Sequence, residues 1–364
     1  MINKNAKLIL EDGSIYEAYS FGYEKSSAGE IVFNTSMTGY NESLTDPSYK
    51  GQILVFTYPL IGNYGIPPIN SYKNNIKKFY ESDKIHVSGL ITSYYSDYEF
   101  HWNMEKTLSE FLKINQIVGI SGIDTRSLTK KLRKKGTMLC KIIISDDLNY
   151  LNYLNYLNYL NYLNYLGEKK KKIYGNGKYK ILLIDCGVKN NIIRCFLERN
   201  CTVIRVPWNY DFLNEDYDGL FISNGPGNPK EYKTTITNIR KVLKFNKPIF
   251  GICLGNQLLG LAAGFETQKL KYGHRSNNQP VILSGTNRCF ITSQNHGYVI
   301  DSKKIPNGWQ IFFKNLNDNT CEGLINYEKF FFSVQFHPEA SSGPIETQFL
   351  FDVFLNFIKL KTKK

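Results

Sequence analysis

The stretch "KPIFGICLGNQ", residues 247–257, decides how the second half of this chain is read. An apolar run ends at Cys253, which has Gly251 two residues before it and Gly255 two residues after. The next residues, "LGNQLLGLAAG", have helical character, so the pattern is strand, cysteine, helix. Working outward, "YKILLIDCG" (179–187), "CTVIRV" (201–206) and "DGLFISNGPGNP" (218–229) read as strands. Between them "NNIIRCFLERN" and "TTITNIRKVLKF" read as amphipathic helices. Strands alternating with helices predict a mainly parallel sheet flanked by helices, whose site lies at the C-terminal ends of the strands. Cys253 falls at one such end.

The 364 residues provide room for two ordinary domains. The first, 1–147, is expected to be mixed α/β. Its opening "AKLILEDGSIYEAYSFG" reads as a hairpin about Asp12-Gly13. "IVGISGIDTRSLTKKLRKKG" reads as a strand, a loop and a helix, capped by Asp124 or Thr125 and ended by Gly136. Residues 148–178 hold "LNYLNYLNYLNYLNYLNYL" (148–166) and a basic linker. A period of three keeps no single face buried on a helix or a strand, so this is read as a low-complexity boundary. The second domain spans 179–360.

No apolar run reaches membrane length and no secretory signal is evident, so no membrane association is expected. Seven cysteines without C-x-x-C point to neither a zinc site nor a disulfide framework, and a cytoplasmic location is expected. The net charge of +13 sits in "KKLRKK", "EKKKKI" and the tail "KLKTKK", without a nucleic-acid-binding motif, so no nucleic-acid partner is expected.

The glycines around Cys253 resemble those of the G-x-S-x-G nucleophile elbow. A helix N-terminus favours the thiolate, and the Leu254 N–H is an oxyanion donor. A thiol nucleophile needs a base. Of the five histidines, His337 in "FFFSVQFHPEAS" follows an apolar strand and precedes Pro338-Glu339. Proline keeps its predecessor extended, and in extended chain residues two apart share a side, so Glu339 can orient His337. Cys253, His337 and Glu339 form a thiol version of the triad.

"GICLGNQ", "SNGPGNP", "SQNHG" and "FHPEAS" together resemble the class I (triad) glutamine amidotransferases. "EIVFNTSMTGYNESLTDPSYKGQI", "TYPLIGNYG" and "GIDTRSLTKKLR" resemble the small subunits of carbamoyl-phosphate synthases, and the likeness covers nearly all the chain except about 146–178. The resemblance implies that Cys253 attacks the amide of L-glutamine, that a γ-glutamyl thioester forms, and that ammonia passes to a large synthetase subunit in a heterodimer. It implies Leu254 and Gly225 as oxyanion donors, with Gly227 in the same loop. It assigns glutamine binding to Gln257, Asn295, Gly297, Tyr298 and, from the first domain, Ser48. No cofactor or metal is expected in this chain; ATP and its metal ion are expected on the large subunit. The family usually has histidine where Asn256 stands, and altered or reduced activity is the most that this departure implies. The competing readings are a non-catalytic scaffold, whose members typically lose the cysteine, and the glutaminase subunit of another synthase such as anthranilate synthase, which would not explain residues 1–147.

Overall fold

The computed structural model describes residues 4–98, 101–144, 170–245 and 247–362. The Leu-Asn-Tyr repeat lies outside the described residues. Contacts divide the chain into two compact units, Met1–Tyr72 with Lys77–Tyr165, and Lys73–Ile76 with Leu166–Lys364.

In the first unit seven strands close into a barrel: β1 (Ala6–Leu10), β2 (Ile15–Ser20), β3 (Ser27–Asn34), β4 (Gln52–Phe56), β5 (Gly89–Ile91), β6 (Val118–Ser121) and β7 (Met138–Ile144). Their order is β1-β2-β6-β5-β4-β3-β7. The hairpin expected at Asp12-Gly13 is present, with Ile9 opposite Ile15. Three helices accompany the barrel: α1 (Tyr40–Thr45), α2 (Leu108–Ile114) and α3 (Thr125–Lys135). Asp124 caps α3 by accepting from the Ser127 N–H, and Gly136 ends it at φ 106°. Three pairings, β3–β4, β4–β5 and β5–β6, are parallel. The strands are rich in Ile, Val and Leu, as parallel strands buried on both faces require.

The second unit is built on one sheet of ten strands: β8 (Lys172–Tyr174), β9 (Tyr179–Asp185), β10 (Cys201–Pro207), β11 (Gly219–Ile222), β12 (Ile249–Ile252), β13 (Glu266–Leu283), β14 (Cys289–Asp301), β15 (Gln310–Asn315), β16 (Cys321–Asn326) and β17 (Phe331–Val334). Their order is β8-β10-β9-β11-β12-β17-β16-β14-β13-β15. The core β10-β9-β11-β12-β17 is parallel. Its connections run through α4 (Asn190–Leu197), α5 (Lys233–Val242) and α6 (Leu254–Ala263). Helix α7 (Phe349–Thr362) buries Phe351 and Phe354 against Phe196 and Phe250, edge-on or tilted at centroid distances of 5.1–6.1 Å.

Beyond β17 the sheet turns antiparallel. Strands β13 and β14 form a long irregular hairpin, with register shifts between Lys269 and His274 and between Ser276 and Gln279. The alternation of strands and helices does not disclose this extension, because bulges break the period of two that marks a strand. Among the described residues no helix is long and apolar enough to cross a membrane.

Candidate active site

Four parallel strands end together: β9 before Lys189, β11 before the 223–229 loop, β12 at Cys253, and β17 before His337. Cys253 holds φ 55° and ψ −103°, a combination that costs a non-glycine residue about 1–3 kcal/mol. It persists because its surroundings fix it. The Cys253 N–H donates to the Val334 carbonyl at 2.8 Å, and its carbonyl accepts from Asn256 and Gln257 in the first turn of α6. The flanking glycines are steric requirements. A Cβ on Gly255 would stand 2.1 Å from the Ile222 carbonyl oxygen, and one on Gly251 would stand 2.6 Å from that of Gly255. The elbow is therefore pressed against its own helix and the neighbouring strand.

His337 is tied at its backbone to β14, donating its N–H to the Ser293 carbonyl at 2.9 Å. Its Nδ1 lies 2.7 Å from Glu339 Oε1. Nδ1 being taken, Nε2 is the nitrogen left for Cys253; it is buried and in this resting arrangement makes no hydrogen bond of ordinary geometry. Catalytic hydrogen bonds are often long before substrate arrives. The Cys253 thiol donates to the Asn295 carbonyl at 3.6 Å. Burial works against an imidazolium at His337, yet the Glu339 carboxylate and the Cys253 sulfur outweigh it, and its pKa rises to about 10. Burial also works against the Glu339 carboxylate, but Lys189 and His337 hold its pKa down at about 2. An imidazolium at His337 backed by the Glu339 carboxylate is the charge state these two groups favour.

Lys189 is the member that motif reading missed. Its Nζ lies 3.2 Å from Glu339 Oε1, and the two side chains are 6% and 0% exposed. It also donates to the Ala340 carbonyl. Asn191 donates to the Glu339 carbonyl. The signal was available: a lysine in "DCGVKNN", between a buried strand and a helix, is poorly placed for solvent and needs a buried anion.

Gly225 stands where a Cβ would meet the Cys186 carbonyl at 1.9 Å and the Leu254 side chain at 2.9 Å. The two expected oxyanion residues are thus neighbours. The Leu254 N–H opens α6, where no preceding turn supplies an acceptor. The Asn224 side chain accepts from the Lys189 N–H at 3.1 Å, tying the loop after β11 to the one after β9. Gly227 is exposed at φ 84°, the outer turn of that loop.

Gln257 donates to the Tyr298 carbonyl at 2.8 Å and to Gln335 Oε1 at 3.1 Å, so its amide nitrogen is occupied by the protein. Asn295, Gly297 and Tyr298 are half-buried on β14, Asn295 beside the sulfur through its carbonyl. Asn256 is fully buried, accepts from Ser333 Oγ at 2.8 Å and donates to Gln335 Oε1 at 3.1 Å. It is part of a polar network beneath the elbow. Ser48 lies in the first unit, in the short turn Pro47–Tyr49, where its N–H donates to the Asp46 carboxylate at 2.9 Å.

Residues 182–357 match the family model "Glutamine amidotransferase class-I", and residues 8–142 match "Carbamoyl-phosphate synthase small chain, CPSase domain". The multifunctional protein pyr1-3 of Dictyostelium discoideum is 48% identical over 97% of this chain and 17% of its own length. The multifunctional protein CAD of Squalus acanthias is 48% identical over 96% of this chain and 16% of its own. The mitochondrial carbamoyl-phosphate synthase [ammonia] of Homo sapiens is 44% identical over 98% of this chain and 24% of its own. The chain thus spans from about one-sixth to about one-quarter of the length of these relatives.

Proposed function

Because the chain belongs to the carbamoyl-phosphate synthase small-chain family and carries a class I glutamine amidotransferase domain, we propose that it is the glutamine-hydrolysing component of a carbamoyl-phosphate synthase. The observation that carries this reading is the meeting of Cys253, His337 and Glu339 at the ends of two parallel strands. The Cys253 thiolate attacks the side-chain carbonyl carbon of glutamine, and the carbonyl electron pair moves onto oxygen. The Leu254 and Gly225 N–H groups receive that oxyanion. The tetrahedral intermediate collapses as His337 Nε2 gives its proton to the departing nitrogen, releasing ammonia and leaving a γ-glutamyl thioester. Water then gives a proton to His337 and attacks the thioester. Glutamate leaves, and the thiolate and imidazolium are restored. Glu339, steadied by Lys189, keeps His337 in the productive tautomer throughout.

Glutamine binds along Asn295, Gly297 and Tyr298, with Gln257 supporting that strand. The ammonia is consumed by a synthetase component that uses bicarbonate and ATP with its metal ion, making carbamoyl phosphate for pyrimidine or arginine biosynthesis in the cytoplasm. A relative named for ammonia makes a non-catalytic role the natural rival. The assembled triad argues against it, since a scaffold has no use for a strained cysteine beside a charged imidazole. A glutaminase of another synthase leaves the match over residues 8–142 unexplained.

The test is labelling with a glutamine-analogue alkylating reagent, and then assay with the synthetase component. Label on Cys253, and a Cys253→Ser protein that supports carbamoyl phosphate synthesis from ammonia but not from glutamine, are expected. Cys253 left unlabelled, or glutamine use that survives Cys253→Ser, overturns the proposal.

A further inference from the structure

We propose that the second unit contains a buried site for one divalent first-row cation, held by His274, His296, Glu322 and Gln294. The site lies on the antiparallel extension and does not depend on the glutaminase reading. His274 on β13 and His296 on β14 are cross-strand partners, and Gln294 lies two residues before His296 on the same face. Glu322 comes from β16. All four are buried, between 0% and 7% exposed. The inward atoms of the two histidines and Glu322 all lie within 4.8 Å of one another.

The outer hydrogen bonds fix which atoms face inward. His274 Nε2 lies 2.8 Å from Asp318 Oδ2, and His296 Nδ1 lies 3.0 Å from the Tyr298 carbonyl oxygen. Both partners are acceptors, so these nitrogens carry hydrogen. A neutral ring then presents a lone pair from His274 Nδ1 and from His296 Nε2. The Gln294 amide nitrogen donates to Glu322 Oε2 at 3.0 Å and to Thr292 Oγ1 at 3.2 Å. Its oxygen therefore turns inward, 3.0 Å from each histidine nitrogen. Glu322 Oε1, which accepts from Asn315 at 3.0 Å, lies 3.5 Å from His274 Nδ1. Four electron-pair donors thus converge away from water, an arrangement that a cation placed between them would satisfy.

Two protons would place two imidazolium rings at a centroid distance of 4.9 Å. One divalent cation relieves the same conflict, and Glu322 and Asp318 balance it. The spacing suits an ion. Bonds of about 2.0–2.1 Å in a tetrahedron set neighbouring donors about 3.3 Å apart; three of the six donor separations are 3.0, 3.0 and 3.5 Å, and the His274, His296 and Glu322 donors all lie within 4.8 Å of one another. Each histidine also has the outer partner that metal-bound imidazoles keep, here a carboxylate and a backbone carbonyl. Two imidazole nitrogens with a carboxylate and an amide oxygen suit a divalent first-row ion of borderline softness, Zn2+ or Co2+ among them. The ion would fasten β14 behind Asn295 and Gly297. Scattered cysteines led the sequence to no metal; these ligands come from three strands and leave no short spacing to recognise.

The test uses the full chain without a polyhistidine tag, stripped with chelator and titrated with Co2+ and then Zn2+. One Co2+ per chain, with the visible absorption of a tetrahedral site and displacement by one equivalent of Zn2+, is expected. His274→Ala should abolish that absorption. Asp318→Asn, at the partly exposed rim where folding is least at risk, should weaken Zn2+ affinity about 10–100-fold. The proposal is overturned if the wild-type chain binds no stoichiometric ion, which would mean protons alone occupy the cluster. It is equally overturned if Asp318→Asn leaves the affinity within about twofold of the wild-type value, against the loss expected of an outer partner, or if the bound Co2+ shows thiolate charge-transfer absorption that survives His274→Ala.

Discussion

Glu339→Gln tests the electrostatic core of the triad. The substitution keeps the shape of the side chain and removes its charge from a position with no exposure. In the native protein the Glu339 carboxylate and the Cys253 sulfur together lift the His337 pKa from 6.5 to about 10, against a burial penalty that lowers it. Each pKa unit is a factor of ten in the balance between imidazolium and imidazole. With Glu339 the largest of the raising influences, its loss should shift the balance at His337 about 10²–10³-fold from imidazolium toward imidazole. The expected result is a fall of about 10²–10³ in glutaminase kcat, with KM within about threefold, because Glu339 stands behind the histidine and does not touch substrate. The rate of Cys253 alkylation at neutral pH should fall in step. Lys189→Met should impair the wild-type enzyme, because it removes the cation that holds Glu339 ionised, yet cost little on top of Glu339→Gln. A Glu339→Gln enzyme within about fivefold of wild type in kcat, or one changed only in KM, would refute the reasoning. Circular dichroism separates this from misfolding, since breaking a buried ion pair also costs about 3–5 kcal/mol of stability.

Gly255→Ala places a methyl group 2.1 Å from the Ile222 carbonyl oxygen, a backbone atom that cannot swing aside. It should lower unfolding stability by at least about 2 kcal/mol in urea melts and abolish glutaminase, whereas Gly251→Ala, clashing at 2.6 Å, should do less damage. The His337 contribution to stability has a definite sign with pH. Its folded pKa lies above the unfolded value of about 6.5, so the contribution is complete below about pH 6.5 and disappears as pH rises toward about 10. The stability gap between wild type and His337→Ala should shrink over that window and stay constant between about pH 5.5 and 6.5. Glu339 has the opposite sense: its contribution is present above about pH 4.5 and is lost as pH falls toward about 2. Asn256→His should not raise the glutaminase rate by more than about tenfold, which is roughly 1.4 kcal/mol of barrier. The Asn256 side chain is engaged with Ser333 and Gln335 beneath the elbow, and a larger ring there crowds a closed network.

How much of this was legible depended on where the information lay along the chain. The elbow was readable because its requirements are local: Gly251, Cys253 and Gly255 must stand two apart, and the steric reason is visible around each. His337 and Glu339 were readable together because an extended step puts them on one side, and they sit 2.7 Å apart. The cap of α3 at Asp124 is local in the same way. The closed barrel of the first unit was not readable, because closure joins β1 to β7 across more than a hundred residues without a sequence mark. Nor was Lys189, whose partner Glu339 lies 150 positions away. The hairpin of β13 and β14 was hidden by its own register shifts, and with it the cluster around Gln294.

The hidden hairpin explains how the visible groups hold their geometry. A cysteine at φ 55° relaxes unless its neighbours forbid it. On one side the parallel core forbids it, through the Val334 carbonyl and the packed glycines. On the other side β14 carries both the Asn295 carbonyl that meets the sulfur and the Ser293 carbonyl that holds the His337 backbone. Cys253 and His337 are thus both registered against one strand, and an error in the placement of β14 would move both. A buried polar cluster on the opposite face of that strand, at Gln294 and His296, is where rigidity has most effect on the distance between sulfur and imidazole. The parallel strands supply the chemical groups, and the antiparallel extension fixes their spacing. A substitution on the far side of β14 should therefore change glutaminase kcat while leaving the Cys253, His337 and Glu339 side chains themselves intact.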